Sequence, residues 1–365
     1  MKFSIDPADL KEAVRFAQTA IAGRPAYPVL AGVLIEASGS RMLASGTDEL
    51  RVARVHVPAT VESEGSVLLH ASSLAKAVSK LKSRTGVIIQ EDGAKIRFAQ
   101  GKMKFTLPKM PIEEYPQKIE GDLKVIGHVN GEAFSKLITS AEVATSKDDA
   151  LPALGAVNLE LSHEVAALGT DRYRLAMDTI EWEPIEECSH RLNVSSAWLK
   201  NVAKNIAGDT ALLITQEKGL PNRIGIVSGN YSASSTVIAG DYPKIRALFT
   251  NRARDEHLLD RQGLIDALDF VGVMSERNAP VRISGRDGVL TFEAGGAEGE
   301  STTELTSDCY EPFEIGLNPS LALDLLRVID TEKIRFVPNG SKPIYITPIE
   351  GNTEYLLMPV RLPQQ

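Results

Sequence analysis

Apolar positions along this chain change period at regular intervals. From residue 6 to residue 20, Leu10, Ala13, Val14 and Ala17 recur at helical spacing, with Asp6 placed as N-cap and Pro7 in the first turn, and Gly23 ends the run. Beyond the loop Arg24-Pro25-Ala26-Tyr27-Pro28 the period falls to two. Val29 to Glu36 reads as a strand, Ser38-Gly39-Ser40 as a turn, the run ending at Gly46 as a second strand and Arg51 to Val57 as a third. His70 to Ser73 leads into a second helix with Leu74, Ala77, Val78 and Leu81 on one face. Strands follow at Val87 to Gln90, Ile96 to Ala99 and Met103 to Leu107. The predicted unit is helix, three strands, helix, three strands.

That order recurs twice. Asn130 caps a helix bearing Phe134, Leu137, Ile138 and Ala141, and a helix from Ser195 carries Trp198, Val202 and Ile206 toward the strands of residues 211–237. A third copy starts at Asp260, and its second helix spans Ser320 to Ile329. Ser72, Ser196 and Ser320 stand 124 apart, as do Val78, Val202 and Leu326. Gly46-Thr47-Asp48 returns as Gly169-Thr170-Asp171 at an offset of 123. A repeat of about a third of the chain implies three similar α+β domains, taken as residues 1–122, 123–250 and 251–365, each with two helices packed on antiparallel sheet. Edge strands left open by such a unit invite pairing with the next. Lys102 and Lys104 fall on one face of a predicted edge strand, with Lys95 and Arg97 on the strand before. Glu298, Glu300 and Glu304 fall on the corresponding strand of the third copy. Those charges either join a basic edge to an acidic one in a head-to-tail dimer or simply deter edge-to-edge aggregation.

Composition narrows the class. A chain of 365 residues with 43% hydrophobic and 24% charged residues has ample core for a folded multidomain protein. Its net charge of −8 excludes a uniformly basic surface, while leaving room for a local basic channel. Cys188 and Cys309 are too few for a disulfide framework and lack ligand spacing, which fits a reducing cytoplasm, and no signal-length or membrane-length apolar stretch is expected. No Gly-rich phosphate loop, His-Glu-x-x-His or Gly-x-Ser-x-Gly occurs, and the six histidines are scattered, so neither a catalytic residue nor a cofactor is expected. An acidic trio of Asp148, Asp149 and Asp171 is the one metal alternative, and the expectation is no metal.

Local segments resemble the bacterial DNA polymerase III beta subunits, the sliding clamps. They are Met1-Lys2-Phe3, Gly23-Arg24-Pro25, Pro28-Val29-Leu30, Gly46-Thr47-Asp48, Thr170 to Leu175, Tyr242-Pro243 and Tyr355 to Leu362. The resemblance implies a non-catalytic homodimer of six similar domains closed into a ring. Its helices would face a hole that passes double-stranded DNA without sequence preference, and the replicative polymerase, the clamp loader and other motif-bearing proteins would dock on its face. It also implies a partner-peptide pocket at Leu154, Thr170, Arg172, Tyr173, Arg174, Leu175, Pro243, Leu248, Met358, Pro359, Val360 and Arg361. Phe105, Leu107, Val273 and Met274 would join the charged edges at the dimer interface. DNA contacts fall on Arg24 from the resemblance, and on Lys76, Lys80, Lys82, Lys200 and Lys204 of the second helices, where phosphate-directed charge suits a sliding ring. In the first helix Lys11 and Arg15 are expected to be offset by Asp6, Asp9 and Glu12, and in the third copy Asp324 and Arg327 to cancel. DNA contact is not expected at Asp148, Pro152 and Ala153. An interaction scaffold of the same fold that has lost ring closure is the other open alternative.

Overall fold

The computed structural model describes residues 1–82, 85–116, 121–148, 150–250, 256–274, 279–296, 299–309 and 311–362. Six helices carry the periodicity: α1 (Pro7–Ala17), α2 (Ala71–Val78), α3 (Gly131–Glu142), α4 (Ser196–Ala203), α5 (Arg261–Gly272) and α6 (Pro319–Val328). Their starts follow the chemistry of the caps. Asp6 accepts the Ala8 amide at 2.7 Å, Asn130 the Ala133 amide at 2.9 Å, and Asn318 the Ser320 amide at 3.0 Å. α1 is shorter than its apolar period suggests, because its end tightens into a 3-10 turn over Gln18–Ala20 before Gly23 is reached. The strand expected from Val29 begins only at Gly32, since Pro28 opens another 3-10 turn, Pro28–Ala31.

The recurring half-unit has one more strand than the sequence pattern implied. A short strand precedes every helix: Lys2–Ile5, Gly65–His70, Lys124–Asn130, His190–Ser195, His257–Asp260 and Phe313–Leu317. Each runs into its helix within a residue or two, and its few alternating side chains, such as Phe3 and Ile5, merge with the helical pattern that follows. Strand, helix, three strands is therefore the element repeated six times.

The fold divides into two compact units, one of residues 1–135, 182–187 and 198–237, the other of residues 136–181, 188–197 and 238–365. In the first, a five-stranded sheet ends on Met103–Pro108, and a nine-stranded sheet joins two sequence repeats. The seam of the larger sheet is antiparallel, Tyr231–Thr236 against Arg51–Pro58, with Tyr231 opposite Val55 and Ser235 opposite Arg51. In the second unit an eight-stranded sheet has the same kind of seam, with Arg174 opposite Leu357 and Met177 opposite Glu354, and a four-stranded sheet ends on Gly299–Thr306. α1 packs on Arg51–Pro58 and on α2, and α5 packs on α6 and on Gly299–Thr306. Leu10, Val14, Ile35, Leu74 and Phe98 lie in the core of the first unit, and Leu268, Phe292, Leu326 and Phe336 in that of the second.

The glycine of each Gly-Thr-Asp segment is a packing requirement. A Cβ on Gly46 would lie 2.0 Å from the Ala17 carbonyl oxygen, and one on Gly169 at 2.0 Å from that of Ala141, so each strand passes directly over a helix end. Gly169→Ala is expected to cost at least about 2 kcal/mol of stability through forced backbone displacement. Gly23→Ala, with nothing within 4 Å, serves as the control. Thermal denaturation of the two variants checks this, and equal melting temperatures would contradict it.

Candidate functional site

The Gly-Thr-Asp segment folds into one turn, built twice from the same bonds. In the second unit the Thr170 hydroxyl donates to the Arg174 carbonyl at 3.0 Å and accepts the Arg172 amide at 3.2 Å. Asp171 Oδ1 accepts the Arg174 amide at 2.8 Å, and its Oδ2 accepts Arg174 Nε at 3.0 Å. In the first unit Thr47, Asp48, Glu49 and Arg51 repeat these bonds at 2.7, 3.0, 2.7 and 2.9 Å. Both turns force a non-glycine residue to positive φ, Glu49 at 73° and Arg172 at 80°. The residue after it is pushed into solvent, Leu50 being 60% and Tyr173 58% exposed. Each turn is then tied to a seam strand: the Thr236 amide donates to the Leu50 carbonyl at 2.9 Å, and the Met358 amide to the Tyr173 carbonyl at 2.8 Å. Each is also walled by a tyrosine, with the Tyr115 hydroxyl 3.5 Å from the Ser45 carbonyl and the Tyr242 hydroxyl 3.3 Å from that of Leu168. Burial holds both phenols protonated, with pKa values well above the usual range.

Lining separates the two copies. In the second unit Leu168, Leu175, Ile245, Phe249, Tyr345 and Leu356 form one apolar cluster, joined by Met177 and Tyr242. In the first, the equivalent recess of about 70 Å³ is lined by Ser45, Val52, Arg54 and Glu36 beside Tyr115. One scaffold thus presents an apolar floor in one place and a polar recess in the other.

The predicted pocket residues fall into distinct roles. Leu175 belongs to the apolar floor, Pro243 and Leu248 are exposed above it, and Met358, Pro359 and Val360 are half-buried on the segment that leaves the seam. The Tyr345 hydroxyl holds the Leu248 carbonyl at 2.8 Å, and Val360 is anchored through its amide to Gly316 at 2.8 Å. Arg172, Tyr173 and Arg361 point into solvent. Leu154 is buried in the loop after α3 and does not belong to the floor cluster. Thr170 and Arg174, expected beside the peptide, are 3% and 4% exposed and hold the turn from within. Arg174 also reaches Asp324 of α6 at 2.9 Å, so Asp324 does not cancel Arg327, which pairs instead with Asp269 at 3.0 Å. Sequence reading missed Met177, Ile245, Phe249 and Tyr345, whose apolar character carries no local mark of a surface site, and took Tyr242 only as part of the resemblance, not as a pocket residue.

The remaining predicted residues are placed as follows. Arg24 is exposed in the loop after α1, and Lys76, Lys80, Lys82, Lys200 and Lys204 are exposed on or just beyond α2 and α4. Lys104 lies on the edge strand Met103–Pro108, whereas Lys102 sits in the preceding turn with Gly101 at φ 55°, so the two do not share a strand face. Arg97 is paired with Asp92. Phe105 and Leu107 are half-buried, and the Phe105 ring stacks on Phe98 at 4.5 Å. Glu300 and Glu304 are exposed on Gly299–Thr306, while Glu298 lies outside the described residues. Val273 and Met274 are 75% and 41% exposed, joined by Phe270 at 57%, which sequence reading overlooked although it is one helical turn before them. Among the described residues no three potential ligands gather for a metal, and Asp149 lies outside them. No described helix is long and apolar enough to cross a membrane.

Three family models match the chain in order: the DNA polymerase III beta subunit N-terminal domain over residues 1–119, the central domain over 128–244 and the C-terminal domain over 246–361. The chain belongs to the DNA polymerase III beta subunit family. The beta sliding clamp of Streptomyces coelicolor is 31% identical over 99% of this chain and 100% of its own length, and that of Micrococcus luteus 34% identical over 83% and 98%. In fold it matches the griselimycin-bound clamp of Pseudomonas aeruginosa (TM-score 0.88, 23% identity, 99% of this chain and 100% of that one). The Bacillus subtilis clamp gives a TM-score of 0.85 at 24% identity, with both chains fully covered. Beta subunits are sliding clamps of DNA replication and non-catalytic processivity factors, partners of DNA and polymerase.

Loss of Arg174 would leave Asp171 and Asp324 uncompensated around a buried position. Arg174→Ala is expected to destabilise the protein by about 3 kcal/mol. Arg51→Ala, whose side chain is 28% exposed and serves Asp48 alone among the described carboxylates, should cost less. Denaturant titration of both variants measures the difference, and equal losses would contradict the assigned roles.

Proposed function

We propose that this beta subunit closes as a head-to-tail homodimer into a ring of six similar domains around double-stranded DNA. The proposed partition is residues 1–122, 123–250 and 251–365. The observation that carries the closure is a pair of unfilled sheet edges of opposite charge. Among the described residues the five-stranded sheet ends on Met103–Pro108, whose strand partner is Lys95–Gln100, and the four-stranded sheet ends on Gly299–Thr306, whose strand partner is Val289–Gly296. Lys102 and Lys104 flank the first edge, Glu300 and Glu304 the second. The apolar end of α5, Phe270, Val273 and Met274, adjoins the acidic edge, for the Ser301 hydroxyl bonds the Val271 carbonyl at 3.0 Å. Pairing the edges satisfies their backbone groups and covers that apolar surface, with Phe105 and Leu107 on the opposing strand.

In this reading Arg24 and the exposed lysines of α2 and α4 meet the DNA backbone. Their long cationic side chains suit phosphate contact without base readout, which permits sliding. Motif-bearing partners, among them polymerase and clamp loader, dock at the apolar copy of the duplicated turn. Tyr173, Pro243, Leu248 and Met358 to Arg361 frame the site over the floor that includes Leu175. The polar copy in the first unit would not accept the same apolar anchors. A cytoplasmic location is part of this reading, supported by the two free cysteines and the nucleic-acid partner.

Light scattering across a concentration series tests the closure. The expected mass is about twice the 39.5 kDa chain, falling to a single chain on Phe270→Glu with Val273→Glu. A monomeric parent protein would contradict the proposal.

A further inference from the structure

The polar copy of the duplicated turn opens onto a recess that three neighbouring strands build together. Leu34 stands opposite Ser45, and Ser45 opposite Arg54, so these side chains share one face of the sheet. Glu36, Thr47 and Val52, each two residues along its strand, lie on the same face. Tyr115 and Pro116 complete the lining of the space, which measures about 70 Å³. The turn between Thr47 and Val52 pushes Leu50 into solvent beside it, 60% exposed.

Polar groups of this recess are left unused. Ser45 is 5% exposed, and its hydroxyl has no hydrogen-bond partner. The Glu36 carboxylate makes no hydrogen bond or ion pair among the described residues. Its counterpart in the apolar copy is Glu160, which likewise lies two residues beyond the partner of the turn strand, Asn158 opposite Leu168. Glu160 is held by Arg246 at 2.6 Å and by Arg191 at 3.3 Å. The Arg54 guanidinium stands on the Glu36 face of the sheet. Burial pulls its pKa below the ordinary value, and the nearby Glu36 charge opposes that shift. The recess therefore pairs one cation with one anion around a buried hydroxyl that nothing satisfies, an arrangement that costs free energy while it stays unfilled.

We infer that this recess is a second docking site for protein partners, one that takes the primary carboxamide of an Asn or Gln side chain as its anchor. The inference rests on the reading of the apolar copy as a docking site, since the two share a turn, a seam bond and a tyrosine wall. The chemistry of the lining selects the occupant. Glu36 requires a donor, while Ser45 and Arg54 offer donors to an acceptor, and a carboxamide carries both functions on one small planar group. A carboxylate anchor would meet the Glu36 charge and an ammonium anchor the Arg54 charge, so either is repelled by one wall. The space exceeds the share of one water, about 30 Å³, and accommodates an amide head. Leu50 then supplies an apolar contact to the chain that carries the anchor, as Tyr173 does at the other copy.

The test is methyl-resolved NMR of the full-length protein titrated with capped tripeptides that differ only in their central side chain. Acetyl-Ala-Gln-Ala amide should shift the methyl resonances of Leu34 and Val52, and the versions with a central Glu or Lys should bind at least about tenfold more weakly. Ser45→Ala, which removes one hydroxyl and little packing, should weaken the Gln peptide by about threefold to tenfold. Glu36→Leu with Ser45→Val should abolish its response. Acetyl-Ala-Leu-Ala amide should instead shift the methyls of Leu168 and Leu175. If it does so while the Gln peptide leaves Leu34 and Val52 unmoved, or moves them no more than the charged versions do, the polar site is overturned and the apolar docking reading stands. No response to either peptide would overturn both.

Discussion

Antiparallel backbone pairing across the repeat boundaries is the constraint on which the rest depends. Tyr231–Thr236 against Arg51–Pro58 and Arg174–Ile180 against Glu354–Leu357 make each large sheet the joint property of two repeats. The five-stranded sheet of the first repeat and the four-stranded sheet of the third lie outside these seams, and Met103–Pro108 and Gly299–Thr306 each stand at an edge of one of them. The two end sheets, of five and four strands, are accordingly smaller than the two seam sheets, of nine and eight. Pairing at those edges places the proposed dimer contact in the same physical category as the contacts within the chain.

The same seams hold the duplicated Thr-Asp turns. At each seam an amide of the incoming segment, Thr236 or Met358, captures a carbonyl at the tip of a Thr-Asp turn, and the positive φ of Glu49 or Arg172 ejects the next side chain. The backbone device therefore follows from the repeat itself. What distinguishes the proposed docking surface from its counterpart is a handful of substitutions: Leu168 and Met177 in one copy correspond to Ser45 and Arg54 in the other, while Leu175 corresponds to an equally apolar Val52. Exchange of apolar for polar lining decides whether burying an apolar anchor is favourable, at about 1.5–3 kcal/mol for a large side chain.

Much of this was legible in the sequence where the causes are local. Helix caps, the period of apolar positions, the Gly-Thr-Asp echo and the common offset all act within a few residues, and they predicted the repeat. Strands such as Lys2–Ile5 escaped because they are too short to establish an alternation before the helix begins. The role of Arg174 escaped because its partner Asp324 is 150 residues away, and nothing near either residue marks the pair. For α1, counting charges hid what the helical angle makes plain: Lys11 and Arg15 face one groove, Asp6 and Asp9 another. Lys102 and Lys104 erred in the opposite direction, since a spacing of two implies a shared face only if no turn intervenes.

The central claim is topological, and topology can be measured apart from affinity. The protein would be loaded by its clamp loader onto nicked circular DNA and onto the same DNA linearised, and retention after gel filtration in moderate salt compared. The account predicts retention on the circle and loss from the linear form, because a closed ring held by weak phosphate contacts slides off free ends. Equal retention on both forms, or on neither, would contradict it.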